Sequence, residues 1–426
     1  NHVRGRARID PYTSANENDY FRGLAMERSF DPLSLTLFYS DKYLDANIVD
    51  TLENGLRVFS SFQQTGYHRL PRELADERSI REQVFGSNIC YNRSRLKISL
   101  NGVSYRYGGI YSPLSRPENK YRFTGRGNTN LSLDYQVAWN RFYFFGSEAL
   151  SIGEGKAFLN GVTGQLTPGV AMILLHRHYQ KDYQSLYGSA FSEGSRAQNE
   201  SGLYLGMEAE VSKSWMFRGY IDSWRFPWIS YWSSAPANGW DALAEVDYSP
   251  KDQMNMYFRY QHESRTGDFL TGEDAGTEME QEGRRKVRFH LRYQLSRHIT
   301  TDNRIEFVSV QSGDRSHGLM LYQDIRYQPS RIPLRIDLRC AFFDTDDYQS
   351  RIYAYEDDLL YVFSVPPYYL KGYRTYLNMK YTREQVDFWL KLARTGYVDL
   401  PSIGSGLARI EGSNKTTLYF QMRVRF

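Results

Sequence analysis

The last eleven residues, Thr416 to Phe426, alternate without a break. Leu418, Phe420, Met422, Val424 and Phe426 are apolar, and Thr417, Tyr419, Gln421, Arg423 and Arg425 between them are polar. Side chains of a strand point to opposite faces with period two, so this stretch has one wholly apolar and one polar face. A half-buried strand of a soluble sheet shares the pattern. Strands of outer-membrane barrels add an aromatic girdle that closes each end of the apolar band, and here the pattern stops on a phenylalanine. The stretch is expected to be the closing strand of a membrane barrel.

The rest of the chain has to permit this. It has 426 residues and a mean hydropathy of -0.60, with no apolar run of about 18 residues that could cross a bilayer as a helix. Aromatics make up 15% and there are only two cysteines, which suits an aromatic-belted β protein better than a helical enzyme. Cys90 and Cys340 lie far apart and do not form a disulfide framework. A net charge of +4 is too small for this length to argue for or against nucleic acid. Asn1 to Gly5 has no apolar core of a signal peptide, so the chain is expected to be mature or to begin inside a longer precursor.

Alternating segments recur throughout, and two kinds of connection separate them. Short ones carry turn chemistry: Asp31-Pro32, Arg93 to Arg95, Trp139 to Arg141, Thr167 to Gly169, Ser212 to Ser214, Ser249 to Asp252, Ser296 to His298, Pro329 to Arg331 and Thr382 to Glu384. Between them lie mostly long ones, at 49–82, 110–127, 182–200, 226–239, 266–284, 344–372 and 396–413, with brief ones near Gly153 and Gly313. Sorting by length in this way is expected of a barrel with short periplasmic turns and long extracellular loops. The fold expected is thus all-β: one domain over 1–426, a large antiparallel transmembrane β-barrel of about 19–20 strands in the bacterial outer membrane, in contact with its lipid. In single strands, Val287, Phe289, Leu291, Tyr293 and Leu295 should face lipid, as should Leu334, Ile336, Leu338, Cys340 and Phe342. A one-residue slip would put arginines into hydrocarbon at about 2 to 4 kcal/mol each near the midplane.

Direction follows from the count. If Phe426 ends on the periplasmic side, the first strand, Tyr20 to Phe30, runs inward, and Asn1 starts outside. Bacterial barrels have even strand numbers, so an upstream strand or a partner chain is expected to complete the wall, one miscounted strand being the alternative. Parity also makes Ser350 to Ser364 a loop folded over or into the mouth, although it reads as a strand. Pro71 to Gln83 reads as a short charged helix in another loop. The loops 49–82 and 344–372 are therefore expected to cover the mouth in part.

Inward-facing charges segregate along the sequence. Glu208, Glu210, Glu245 and Asp247 come from one arc; Arg288, Arg292, Arg335, Arg339, Arg374, Lys380, Lys391, Arg423 and Arg425 come from another. Either they set a transverse field across a water-filled pore, or they pair inside a filled barrel, as the interleaved Asp222, Asp337 and Asp387 suggest. His176 and His178 share a strand face without a third metal ligand. Asp344, Asp346 and Asp347, with Glu356 to Asp358, could hold calcium, a solvated loop being the default. No histidine comes with a Ser/Asp pattern that singles out catalysis, and no phosphate-cradling glycine loop is present, so neither an enzyme nor a cofactor is expected.

Four stretches carry a resemblance: Arg6 to Ser14, Ala190 to Arg196, Phe343 to Tyr348 with Arg351 to Glu356, and Ile403 to Leu407. They resemble a large, poorly characterised outer-membrane barrel family of Bacteroidota, over nearly the whole chain. Members often carry an N-terminal helix-hairpin-helix segment similar to those of DNA-uptake proteins, which is absent here. The resemblance implies a possible DNA role, and strands ending in Phe resemble the signal read by the barrel assembly machinery. The function expected is a passage for polar solutes or macromolecules, with a closed scaffold subunit of an envelope complex or a DNA-uptake barrel as alternatives.

Overall fold

The computed structural model describes residues 12, 20–270 and 277–425. Its 19 long strands are antiparallel and the fold is all-β, of the outer-membrane barrel class expected from the alternation. The closing strand runs Asn414–Val424 and pairs with Val386–Tyr397 in unbroken register from Val386↔Val424 to Gly396↔Asn414. Phe426 lies outside the described residues, and of Arg6 to Ser14 only Tyr12 is among them.

Strand ends fall where turn chemistry puts them. Two residues separate Ile80–Arg93 from Leu96–Tyr111, Gly125–Trp139 from Phe142–Ser151, Lys156–Thr167 from Val170–Tyr179, and Lys371–Arg383 from Val386–Tyr397. Ser94, Asn140, Gly169 and Glu384 in these turns have positive φ, the left-handed bend that lets a two-residue hairpin follow strand twist. The expected loop 266–284 is corrected. Strands Met254–Leu270 and Thr277–Gln294 reach far into it, and residues 271–276 lie outside the described residues. The helix expected over Pro71 to Gln83 is also shorter, Pro71–Asp76. Ile80, Glu82 and Val84 already alternate as buried strand residues, and burial of that face overrides the charged, helix-favouring composition.

The chain forms two compact units. One comprises Asn1–Gly206, Asp222–Trp240 and Thr266–Asp268; the other comprises Met207–Ile221, Asp241–Arg265 and Phe269–Phe426. In the first, the connection after strand Leu33–Leu44 folds back as a hairpin, Ala46–Thr51 and Arg57–Phe62, over the inner face of Ile80–Arg93 and Leu96–Tyr111. Phe59, fully buried, packs on Tyr107 and Tyr111. In the second, strands from Ile299–Ser312 to Val386–Tyr397 alternate clearly. Along Leu334–Thr345, Leu338, Cys340 and Phe342 are exposed while Asp337, Arg339 and Ala341 between them are buried. A soluble sheet has the reverse arrangement, charges outside and apolar residues in, so these strands are built to stand in hydrocarbon.

Candidate functional site: a charged inner face and the acidic segment seated on it

The inner face of the second unit carries many ion pairs. Arg288 is held by Glu306 at 2.7 Å and Arg292 by Asp302 at 2.8 Å, each directly across from its partner on the neighbouring strand. Arg339, on Leu334–Thr345, donates to both oxygens of Asp324 on Asp314–Tyr327 at 2.6 Å. Arg326 and Arg335 converge on Asp337 at 2.7 and 2.8 Å. Arg423 and Arg425, from the end of the chain, both reach Asp387. Glu245 and Asp247 share Arg218, at 3.2 and 2.5 Å, with Glu208 on the same guanidinium at 3.1 Å; Glu210 is exposed. Of the two readings of these charges, the geometry has the pairing one: each cation of the expected set meets a carboxylate nearby, apart from Lys380, whose ammonium lies over the Trp389 ring.

Three of those carboxylates come from outside the wall. Between Leu334–Thr345 and Lys371–Arg383 the chain forms a small two-stranded ribbon, Ile352–Tyr353 with Pro367–Tyr368, and lies against the inner face instead of in solvent. Ile352, Ala354 and Tyr368, each 1% exposed, pack on Val308, Val310, Met320, Tyr322, Ala341 and Phe343 of the wall. Alternation then aims Glu356 toward the wall as well, and it is fully buried. Its carboxylate takes two bonds from the Arg374 guanidinium at 2.5 and 2.8 Å, one from the Tyr368 hydroxyl at 2.8 Å, and lies 3.4 Å from the Lys391 ammonium. Asp357 bridges Arg335 at 2.9 Å and Arg326 at 3.0 Å, and Asp358 takes Lys391 at 2.6 Å. Backbone carbonyls add to this, that of Tyr355 accepting from Arg339 at 2.6 Å and that of Tyr353 from Arg304 at 3.0 Å. Gly318 explains how the segment comes so close: a Cβ there would stand 2.3 Å from the Ser350 carbonyl oxygen.

Burial by itself would keep Glu356 protonated, but the Arg374 guanidinium, the Lys391 charge and the Tyr368 hydroxyl together hold it below its ordinary value. Asp347, at the start of the segment, is also held low against burial, by the Ser316 hydroxyl and the Ser350 and Gln349 amides. That arrangement corrects the solvated-loop default for Glu356 to Asp358. The calcium candidates do not converge either: Asp344 pairs with Lys371, Asp346 accepts from the His317 amide, and Asp347 caps its own turn. Among the described residues no group of three or more His, Cys, Asp or Glu side chains is placed to hold a metal. His178 bonds Ser201 at 2.7 Å.

Solved structures similar to the chain include the outer membrane channel DcaP of Acinetobacter baumannii, at 10% identity and a TM-score of 0.34, covering 75% of this chain and 93% of that one. OccK8 (OprE) of Pseudomonas aeruginosa matches at 8% identity and 0.39, over 92% and 98%. The copper transporter OprC matches at 8% and 0.47, over 92% of this chain and 66% of its own. No protein-family model and no curated protein matches the chain.

Sequence reading missed a second buried cluster, in the first unit. Arg177, with no exposed surface, donates to Glu200 at 2.5 Å and Asp222 at 2.7 Å. Glu200 also accepts from the Glu193 and Gly194 amides, which ties the connection 180–199 to the wall. The signal was available in the alternation of Leu175, Arg177 and Tyr179, all buried, opposite exposed Leu174.

Proposed function

We propose that the chain is an integral protein of the bacterial outer membrane whose polar interior is a passage for polar solutes, closed in this conformation by the segment Ser350 to Ser364. The observation that carries this is the inverted alternation: charged side chains buried on one face of the strands, aromatic and aliphatic ones exposed on the other. A wall of that kind has lipid outside and a polar interior inside. The paired charges mean that the interior selects by which pairs a solute can compete for, rather than by a bare field. The test is single-channel conductance of the full chain in planar bilayers, before and after Glu356→Gln, Asp357→Asn and Asp358→Asn together. Discrete openings that become longer or more frequent in the triple variant support the passage.

A second reading, a closed scaffold in an envelope complex, is favoured by the same segment, since its apolar and acidic residues are buried against the wall. Silence of both proteins at every voltage and salt concentration would decide for it. The kinship with the Bacteroidota family, recognition of the closing strand by the assembly machinery and a wall completed by an upstream segment or partner chain belong to the proposal through the residues quoted above. A DNA role rests on that kinship alone; salt-dependent DNA binding by the full-length protein is its test, because phosphate contacts release counterions.

A further inference from the structure

Between the inserted segment and the wall lies a cavity of about 320 Å³ whose polar lining includes the cations Arg335 and Lys380, the carboxylates Asp337, Asp357 and Asp358, and Asn378. Lys380 stands directly across the strand pair from Arg335 in the register of Leu334–Thr345 with Lys371–Arg383. Two like charges so placed repel unless counter-charge is supplied. Arg335 has it, from Asp337 and Asp357, whereas Lys380 has no carboxylate partner among the described residues. Beside it Asn378, 5% exposed, gives its amide nitrogen to the Asp358 carbonyl at 3.4 Å and leaves its Oδ1 buried without a donor. The half-buried Lys380 ammonium, over the Trp389 ring but without a carboxylate, and a buried acceptor lacking its donor thus face one cavity, and the acceptor is costly left alone.

We propose that this cavity is a binding site for a small hydroxy-anion: its carboxylate or phosphate rests on Lys380, and an adjacent hydroxyl donates to Asn378 Oδ1. The segment Glu356 to Asp358 already presents carboxylates to the neighbouring cations in the way such a solute would, so the site is one more place in a row of anion positions. The site deepens the passage reading and rests on it for how the ligand arrives. Binding itself is measured without transport, so the two can fail separately.

The experiment is isothermal titration of the detergent-solubilised full chain with gluconate, inorganic phosphate and uncharged sorbitol. Gluconate or phosphate should bind, sorbitol should not, and Lys380→Gln should weaken the anion at least tenfold while Lys371→Gln, a distant exposed lysine, leaves it unchanged. Heat-shifted electrophoretic migration checks that each variant is folded, and Asn378→Asp, which sets a carboxylate where the acceptor was, should also abolish binding. No binding of either anion, sorbitol binding as well as gluconate, or a folded Lys380→Gln or Asn378→Asp that binds like the parent would each overturn the site.

Discussion

At the residue scale the telling position is Glu200. A carboxylate this deeply buried survives because it is matched to Arg177 and to two backbone amides, and removing one partner of such a pair costs more than the pair contributes. Glu200→Gln is expected to lower stability by about 3 kcal/mol, read as the shift of the urea midpoint of unfolding from lipid vesicles. Glu411→Gln, in an exposed pair, should change it by less than about 0.5 kcal/mol. Gly202 belongs to the same cluster: a Cβ there would stand 2.5 Å from the Arg177 guanidinium carbon, which two carboxylates pin in place. Gly202→Ala should therefore cost about 1 to 3 kcal/mol; a neutral result would mean that Arg177 can swing aside. Neither residue was legible in the sequence as a site, because a lone glycine and a lone glutamate at a strand start look like any others.

At the scale of elements, the inserted segment behaves as a counter-ion on a tether. Its apolar residues, Ile352, Ala354 and Tyr368, give it a seat, and its acids give it specificity for this wall. Glu356 has its folded-state pKa below the ordinary value of 4.5, so its pairing contributes fully above that pH and is lost as pH falls through the lower, folded value. Conductance through the wild-type chain is thus expected to stay low at neutral pH and to rise only in acid below the ordinary glutamate range. In Glu356→Gln that acid-induced step should weaken or vanish; an unchanged pH profile would show that other groups hold the segment. Strand-like alternation from Ser350 to Ser364 was visible in the sequence, and parity correctly kept it out of the wall. That its acids are buried could not be read, since the cations that hold them lie up to 35 residues away in sequence.

For the whole molecule, the outer faces set the expectation. Leu338→Arg, on the exposed face of a central strand, should destabilise the membrane-inserted protein by about 2 to 4 kcal/mol near the midplane. Arg substitution of Leu407, in a connection outside the long strands and more exposed still, should change little. Fractionation should find the parent in the outer membrane, and an equal, negligible effect of both substitutions would remove the lipid-facing assignment. Alternation like that of Leu418, Phe420 and Met422 with Tyr419, Gln421 and Arg423, recurring along the chain, determined by itself that the chain is strands and which face is apolar, and turn residues such as Asn140 and Gly169 marked where the short turns fall. Those properties depend on neighbours two residues apart, and a sequence displays them directly. Tertiary structure alone decided that the arginines are paired rather than bare, that Glu356 to Asp358 serve as their partners, and that Lys380 and Asn378 are left facing a cavity. Pairing across strands depends on register and on where a long connection comes to rest, and neither is written in any local pattern of residues.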